Sequence, residues 1–520
     1  MLLGRTLWEL MEKRVDATPD SLMAVDEDMR TITFAEYWAE AELAAAGLAA
    51  AGVRAGDVVS WQLPSWIESL VLVAALSRLG VVQNPILPIY RERELDFITA
   101  QAGTSLLVVP SEYRGFDHEA LATDVARRHG SMRVLVSDRA LPQGDPSSLP
   151  PLVDVLGPEE SGPDDLEPQD PTTSWLFYTS GTTADPKGVR HSDATLLAAA
   201  RGMGQRLGLI PHDRNSLVFP LTHVGGIIWL LASLQSGCSN IVTEAFEGDD
   251  TIEVLSREGV TLAGSGTVFH QAYLAHQRSQ LHQIFPDVRG FPGGGAAKPP
   301  SLVEEIRATF DAPVRSGWGL TEAPILTMAG LTDADDELAH TEGKPMHGVE
   351  IRVVQADGRI AVDGEEGELR ARAPQMMLGY VDESLDVDAF DDDGFFRTGD
   401  LGRIDDRGNV VITGRLKDVI VRKGENVSAK ELEDLLHTHE KIADVAVIGL
   451  PDPDSGERVC AVVQLARDSD DVTFDELIIH LRDLGLTSRK LPEQLEVVDV
   501  LPRNTSGKVL KHVLRDEFKG

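Results

Sequence analysis

Residues 175–189 read Trp175-Leu176-Phe177-Tyr178-Thr179-Ser180-Gly181-Thr182-Thr183-Ala184-Asp185-Pro186-Lys187-Gly188-Val189. The apolar run Trp175 to Tyr178 reads as a buried strand that ends in a loop. Five hydroxyl residues, two glycines and one lysine crowd into the segment from Tyr178 to Gly188. Backbone N–H groups and hydroxyls in such a loop wrap phosphate oxygens, and the lysine supplies charge. The spacing is not that of a Walker A loop, which needs four residues between its first glycine and Gly-Lys-Ser/Thr. Here five residues separate Gly181 from Lys187, and Gly188-Val189 follows.

Outward from this loop the chain alternates strand and helix patterns. Residues 4–16 carry Leu7, Leu10, Met11 and Val15 at helical spacing, 34–51 are Ala-rich and helical, Val58 to Trp61 reads as a strand and 65–79 as a helix. The alternation runs to about residue 340 and predicts an α/β architecture with largely parallel sheets in a multi-lobed N-terminal domain. Residues 140–171 are rich in Pro, Gly, Ser and acids and predict a surface connection between lobes. After residue 350 short strands such as Glu350 to Val354 and Gly367 to Ala371 predict a small β-rich subdomain. Residues 415–520 predict a separate small α+β unit, with strands near 443–449 and 459–465 and helices at 428–437 and 473–484. Ser428 and Glu431 have the spacing of a capping box at the start of helix 428–437.

Composition narrows the classes. The 520 residues exceed one compact core. With 84 acidic and 48 basic residues, the formal net charge of −36 repels nucleic acid and anionic lipid. Only 12 residues are Lys, so a lysine within a glycine-rich motif carries unusual weight. Cys238 and Cys460 are the only cysteines, too few for a disulfide framework or a zinc cluster. The N-terminus lacks a signal-peptide layout, and the apolar stretch 69–82 is short and interrupted by Arg78. These features predict a cytoplasmic protein without an integral membrane segment.

Further motifs follow in order. Gly293-Gly294-Gly295-Ala296-Ala297-Lys298-Pro299 places small residues where a flat base can approach the backbone, although alone it is equally an ordinary glycine-rich turn. Ser316-Gly317-Trp318-Gly319-Leu320-Thr321-Glu322 offers a hydroxyl donor and a hard carboxylate ligand suited to Mg²⁺. In Arg397-Thr398-Gly399-Asp400 the carboxylate suits a pair of hydroxyls, although alone Asp400 could simply cap a turn. Gly414-Arg415-Leu416-Lys417 and Arg422-Lys423-Gly424-Glu425-Asn426 open the C-terminal unit, and Pro502-Arg503-Asn504-Thr505-Ser506-Gly507-Lys508 closes it. By itself this last segment is a basic tail on an acidic protein.

Taken together, these segments, spread in order across residues 175–511, resemble the motifs of the adenylate-forming superfamily, which includes acyl-CoA synthetases, peptide-synthetase adenylation domains and beetle luciferases. The chain departs from that pattern at Ala184, where the family usually has Gly, and at Trp318, where it usually has Tyr. The resemblance implies ATP, Mg²⁺ and coenzyme A as cofactor and cosubstrates. It implies a nucleotide site of Thr179, Ser180, Gly181, Thr182, Thr183, Lys187, Gly294, Gly295, Ala296, Gly317, Trp318, Gly319, Thr321, Asp400, Arg415 and Lys508. Trp318 would stack beside the base, Asp400 and Arg415 would hold the ribose, and Glu322 would bind Mg²⁺. Lys187, Thr321, Glu322, His223 and Lys508 would serve catalysis. Lys417 would be a hinge (415–417) between an N-terminal domain (1–414) and a C-terminal lid (418–520). Lys423, Gly424 and Glu425 would line the route of the coenzyme A thiol.

The implied chemistry has two halves. A carboxylate attacks the α-phosphate of ATP and pyrophosphate leaves; then the C-terminal unit turns about Lys417 and a thiol takes the acyl group. Phe219-Pro220-Leu221-Thr222-His223 aligns with the family's acid-pocket motif. Residues 219–235 hold no acidic side chain to pair with an amino-acid ammonium, so a medium-chain, cyclic or aromatic acid is the expectation. The chain ends 12 residues after Lys508 with no carrier domain, which favours free coenzyme A as acceptor. The competing readings are an acyl-AMP ligase that loads a separate carrier protein, and a catalytically silent AMP-binding relative. The expected partners are small molecules, with a homodimer possible.

Overall fold

The computed structural model describes the chain apart from residues 150, 151, 153–171, 180–185, 296, 297, 363, 423, 424, 453, 454, 467, 468, 470, 505, 506 and 520. Strands form where short β-branched and aromatic runs sit between turn residues. Val58–Trp61 and Trp175–Tyr178 take the bounds their sequences predict. They belong to a seven-stranded sheet in the order Gly379–Tyr380, Gly188–His191, Trp175–Tyr178, Val82–Pro85, Val58–Trp61, Leu106–Val109 and Arg133–Val136. Its strands run parallel except Gly188–His191, which is antiparallel to both of its neighbours. This sheet sets the phosphate-loop segment: Tyr178 faces Gly188, and the loop joins two antiparallel neighbours.

A second sheet orders Arg214–Leu217, Ser239–Val242, Leu22–Asp26 and Thr31–Thr33. Phe291–Gly294 and Val314–Gly317 pair in parallel beside it, with single bridges from Leu262 to Asn215 and to Gly290. Helix Phe34–Ala50 packs on helix Ile67–Leu79, where the buried Tyr37 hydroxyl donates to the Leu70 carbonyl at 3.0 Å. Helix Ile67–Leu79 starts two residues later than its pattern predicts, because Trp66 is extended and acts as the N-cap. Almost its whole circumference is buried, which accounts for its apolar run, and Gly80 ends it in the left-handed conformation. Among the described residues no helix is long and apolar enough to cross a membrane.

Glu350–Val354, Gly367–Arg372, Phe396–Ile404 and Val410–Arg415 make the predicted β-rich unit, an antiparallel sheet. A short 3₁₀ turn, Leu416–Asp418, leads to the C-terminal α+β domain. Its sheet orders Glu425–Ser428, Val419–Arg422, Gly456–Leu465 and Ile442–Asp452, with Gln494–Val498 parallel to Gly456–Leu465. Helices Ala429–Leu436 and Phe474–Asp483 pack on one face through Leu432, Leu436, Leu477 and Leu481. The capping box predicted here is half present. Ser428 accepts from the Glu431 N–H at 3.3 Å, but the Glu431 carboxylate takes the charged Lys490 at 2.5 Å instead of turning back to residue 428.

Candidate active site

Two of the glycine motifs meet because their strands pair in register. Gly294 lies opposite Gly317, and a Cβ on Gly294 would stand 2.9 Å from the Gly317 carbonyl oxygen. The chain then doubles back, so that Trp318 N–H donates to the Thr327 carbonyl and Leu326 N–H to the Trp318 carbonyl. A Cβ on Gly317 would meet Thr327 O at 2.5 Å, and one on Gly319 would meet Ile325 N at 2.2 Å. Both glycines are therefore demanded by backbone contact.

Asp400 and Arg415 are opposite one another on neighbouring strands, so two motifs far from the glycines also converge. Arg415 Nε lies 2.7 Å from Asp400 Oδ1, and Trp318 Nε1 donates to Asp400 Oδ2 at 2.7 Å. The carboxylate is 2% exposed and held on both oxygens. Gly295, Pro299, Gly317, Trp318, Gly319, Asp400, Arg415, Lys417 and Lys508 all line one cavity of about 630 Å³. Both domains contribute the rest of its wall, Thr267, Glu342 and Ile412 from one side and Asn426, Ser428 and Lys430 from the other.

Lys508 reaches this cavity from a turn in which Lys508 N–H donates to Asn504 Oδ1 at 2.9 Å and Gly507 has φ +81°. A Cβ on Gly507 would stand 2.9 Å from Val268 Cγ2, so the turn sits directly on helix Thr267–Arg278. Burial, then the like charges of Arg415 and Lys417, push the Lys508 ammonium down to about 8. Lys417, in the turn Leu416–Asp418, is lowered too, by burial and then Arg415.

Lys187 and Glu322 form a second group around Tyr380, with Thr321 preceding Glu322 in the chain. The Tyr380 hydroxyl donates to Glu322 Oε1 at 2.9 Å, and Lys187 Nζ stands 5.2 Å from the centre of the Tyr380 ring. Burial, then Glu322, push the Tyr380 phenol up. Thr179 and Lys187 pair at the mouth of the loop, with Thr179 N–H donating to Lys187 O at 3.0 Å. The buried His191 donates from Nε2 to the Thr321 carbonyl at 2.8 Å, and burial holds its pKa down at about 4. Tyr380 and His191 are absent from the motif reading, since each acts through a residue far away in sequence. Lys298 is a third omission. It is buried among Ser316 Oγ, Thr341 O (2.5 Å) and Glu342 Oε1 (3.4 Å), tying the Gly293–Pro299 segment to the start of the Trp318 motif. The scarcity of lysine was the available signal for it.

His223 lies at the start of a buried helix. It is the N-cap of helix Val224–Ser236, its Nδ1 accepting from Gly225 N–H at 3.1 Å, and its ring meets Phe219 edge-on. Burial lowers it to about 4, so the neutral ring keeps its acceptor on the helix. Gly226 allows the closest packing here, since a Cβ would meet Leu221 Cα at 2.7 Å. In the C-terminal loop, Arg422 turns to Arg489 O (2.5 Å) and Glu493 (2.6 Å). Ser180, Gly181, Thr182, Thr183, Ala296, Lys423, Gly424 and the side chain of Glu425 lie outside the described residues.

Comparison with known proteins identifies the family. Residues 11–381 match the AMP-binding enzyme family, and 431–508 match the AMP-binding enzyme C-terminal domain. The chain is 30% identical to a medium-chain fatty-acid–CoA ligase of Escherichia coli (strain K12), over 99% of this chain and 90% of the relative. It is 31% identical to a salicyl-AMP ligase / salicyl-S-ArCP synthetase of Mycobacterium tuberculosis (strain ATCC 25618 / H37Rv), over 98% and 90%. Among solved structures, ATP-bound MatB from Rhodopseudomonas palustris superposes with a TM-score of 0.86 at 27% identity, covering 99% of both chains. The converging motifs and the length of these matches lead to one conclusion: the chain belongs to the AMP-binding enzyme family.

Proposed function

We propose that the chain is an AMP-forming acid–CoA ligase, acting on a medium-chain, cyclic or aromatic carboxylic acid. The observation that carries this reading is the shared cavity, where Asp400, Arg415 and Trp318 meet Lys508 delivered by the C-terminal domain. A carboxylate that accepts two protein donors keeps a second lone pair on each oxygen, and these accept the ribose hydroxyls. Lys508 and Lys187 face the phosphates and counter charge at phosphorus as the acid attacks. Little proton transfer is needed, since the acid is ionised near neutral pH.

Glu322 fits a magnesium ligand. Its carboxylate is a hard donor oriented by Tyr380, and among the described residues no cluster of three or more His, Cys, Asp or Glu could hold a metal without help. With one protein carboxylate, the ion would draw its other ligands from phosphate and water, as this ion commonly does. A magnesium ion held by Glu322 would supply charge that offsets the phosphates. Residues 1–414 form the body and 418–520 the lid, turning at 415–417 so that Lys508 withdraws and the 422–426 loop carries the thiol inward. His223 and the helix it caps form the acid side of the site.

Two kinds of relative stand behind the choice of acceptor, one named for a CoA product and one for a carrier-protein product. The absence of acidic side chains from 219–235 supports an acid without an ammonium group. The protein is incubated with ATP, Mg²⁺, coenzyme A and competing short, medium, long, aromatic and alicyclic acids. One dominant acyl-CoA by mass, with AMP and not ADP as product, is expected. AMP and pyrophosphate without thioester would transfer the reading to a carrier-protein acceptor, and absence of ATP turnover would overturn it.

A further inference from the structure

The indole of Trp318 is unusual in being anchored at both ends of its function. Its ring is 7% exposed and packs with Ala323, Leu326, Leu369 and Val410, while it also lines the cavity. Its backbone cannot drift, because the glycines on either side are pressed against 325–327. Its Nε1–H therefore points along a fixed direction, and Asp400 Oδ2 lies on it at 2.7 Å. A phenylalanine ring has no donor at all, and a tyrosine carries its hydroxyl at the far tip of the ring, not where the indole nitrogen sits. A carboxylate turns easily about its terminal torsion. With Arg415 on Oδ1 alone it would be pinned at one corner; with Trp318 on Oδ2 its plane is set before any ligand arrives.

We propose that Trp318 is a positioning and specificity-determining residue for the nucleotide. Its indole N–H fixes the plane of the Asp400 carboxylate, aims the remaining lone pairs at the ribose, and so sets how strongly the protein demands both ribose hydroxyls. The inference rests on Asp400 as the ribose acceptor. A donor to a buried carboxylate contributes in the range of charge-assisted bonds, enough to change nucleotide affinity by about tenfold.

The test compares wild type, Trp318→Phe, and an analogue in which sulfur replaces the indole N–H at position 318. The analogue keeps the shape of the ring and so controls for packing. Pyrophosphate release is followed with ATP, 2′-deoxyATP and 3′-deoxyATP, alongside thermal midpoints. The expected result for the sulfur analogue is an unchanged midpoint, a KM for ATP raised about tenfold, kcat within about twofold, and a reduced preference for ATP over the deoxy forms. Trp318→Phe should show the same loss of preference with some loss of stability. An analogue with wild-type KM and wild-type preference would overturn the proposal and leave Trp318 as packing alone. Wild type that uses ATP and both deoxy forms equally would instead remove Asp400 as ribose acceptor, and the proposal with it.

Discussion

Asp400 and Lys508 face one cavity but are secured in opposite ways. Asp400 sits on a strand, 2% exposed, with a donor on each carboxylate oxygen. Lys508 sits on a turn whose glycine rests on Val268, and its nearest charged neighbours include two other cations, Arg415 and Lys417. The acceptor is complete without ligand, whereas the ammonium is buried beside Arg415 and Lys417, whose repulsion the carboxylates of Asp400 and Asp418 offset only in part. Under the proposed function, the fixed part would bind the nucleotide and the nucleotide's charge would hold the C-terminal part in place.

The sharpest way to break the contrast is Lys508→Ala. Pyrophosphate release should fall about 100- to 1,000-fold, the usual cost of one stabilising charge, while thioester formation from supplied acyl-adenylate changes little. Equal loss in both steps would make Lys508 a general structural residue. Lys417→Pro addresses delivery. It should leave adenylation near wild type and slow acyl-CoA formation by about tenfold or more, measured in the same paired assay; equal loss in both steps would argue against the hinge.

Gly507→Ala tests the seat. A side chain at φ +81° facing Val268 should weaken the docked turn by about 1–2 kcal/mol and slow adenylation about tenfold, with the thermal midpoint nearly unchanged. Rates equal to wild type would show that the turn docks without needing that contact. The smallest effect is a pH limb. With Lys508 lowered to about 8, kcat/KM for ATP should fall as pH rises through that value, and Lys508→Arg should move the limb out of range. Stability should move the other way. The unfolded chain binds the Lys508 proton more tightly, so this residue contributes rising stability from about pH 8 to its unfolded pKa of about 10.4, readable in denaturant titrations.

The sequence carried the order of elements well because its strands are short apolar runs between turn residues, as at Val58–Trp61 and Trp175–Tyr178. Helix edges were less legible: Ile67–Leu79 waits for an extended Trp66 to cap it, a conformation no periodicity reveals. In the site, motif order pointed to Trp318, Asp400, Arg415 and Lys508, and the structure brings these four to one cavity. It could not show that Trp318 donates to Asp400, because the pair is 82 residues apart and the bond depends on two strands and a reversal between glycines. Tyr380 and His191 were hidden for the same reason, each touching a motif residue across sheet pairing. Glu431 was misassigned because spacing suggests a cap but says nothing of a lysine 59 positions away.

The cavity of about 630 Å³ takes its walls from both sides of the turn at Leu416–Asp418. Under the hinge reading that volume belongs to one arrangement of the protein and vanishes in the other. A small molecule that filled it, reaching from Trp318 to Lys430, would act as a wedge and not merely as a rival of ATP. It would hold the two domains in their first-step pose, and inhibition would persist however much acid or thiol was supplied.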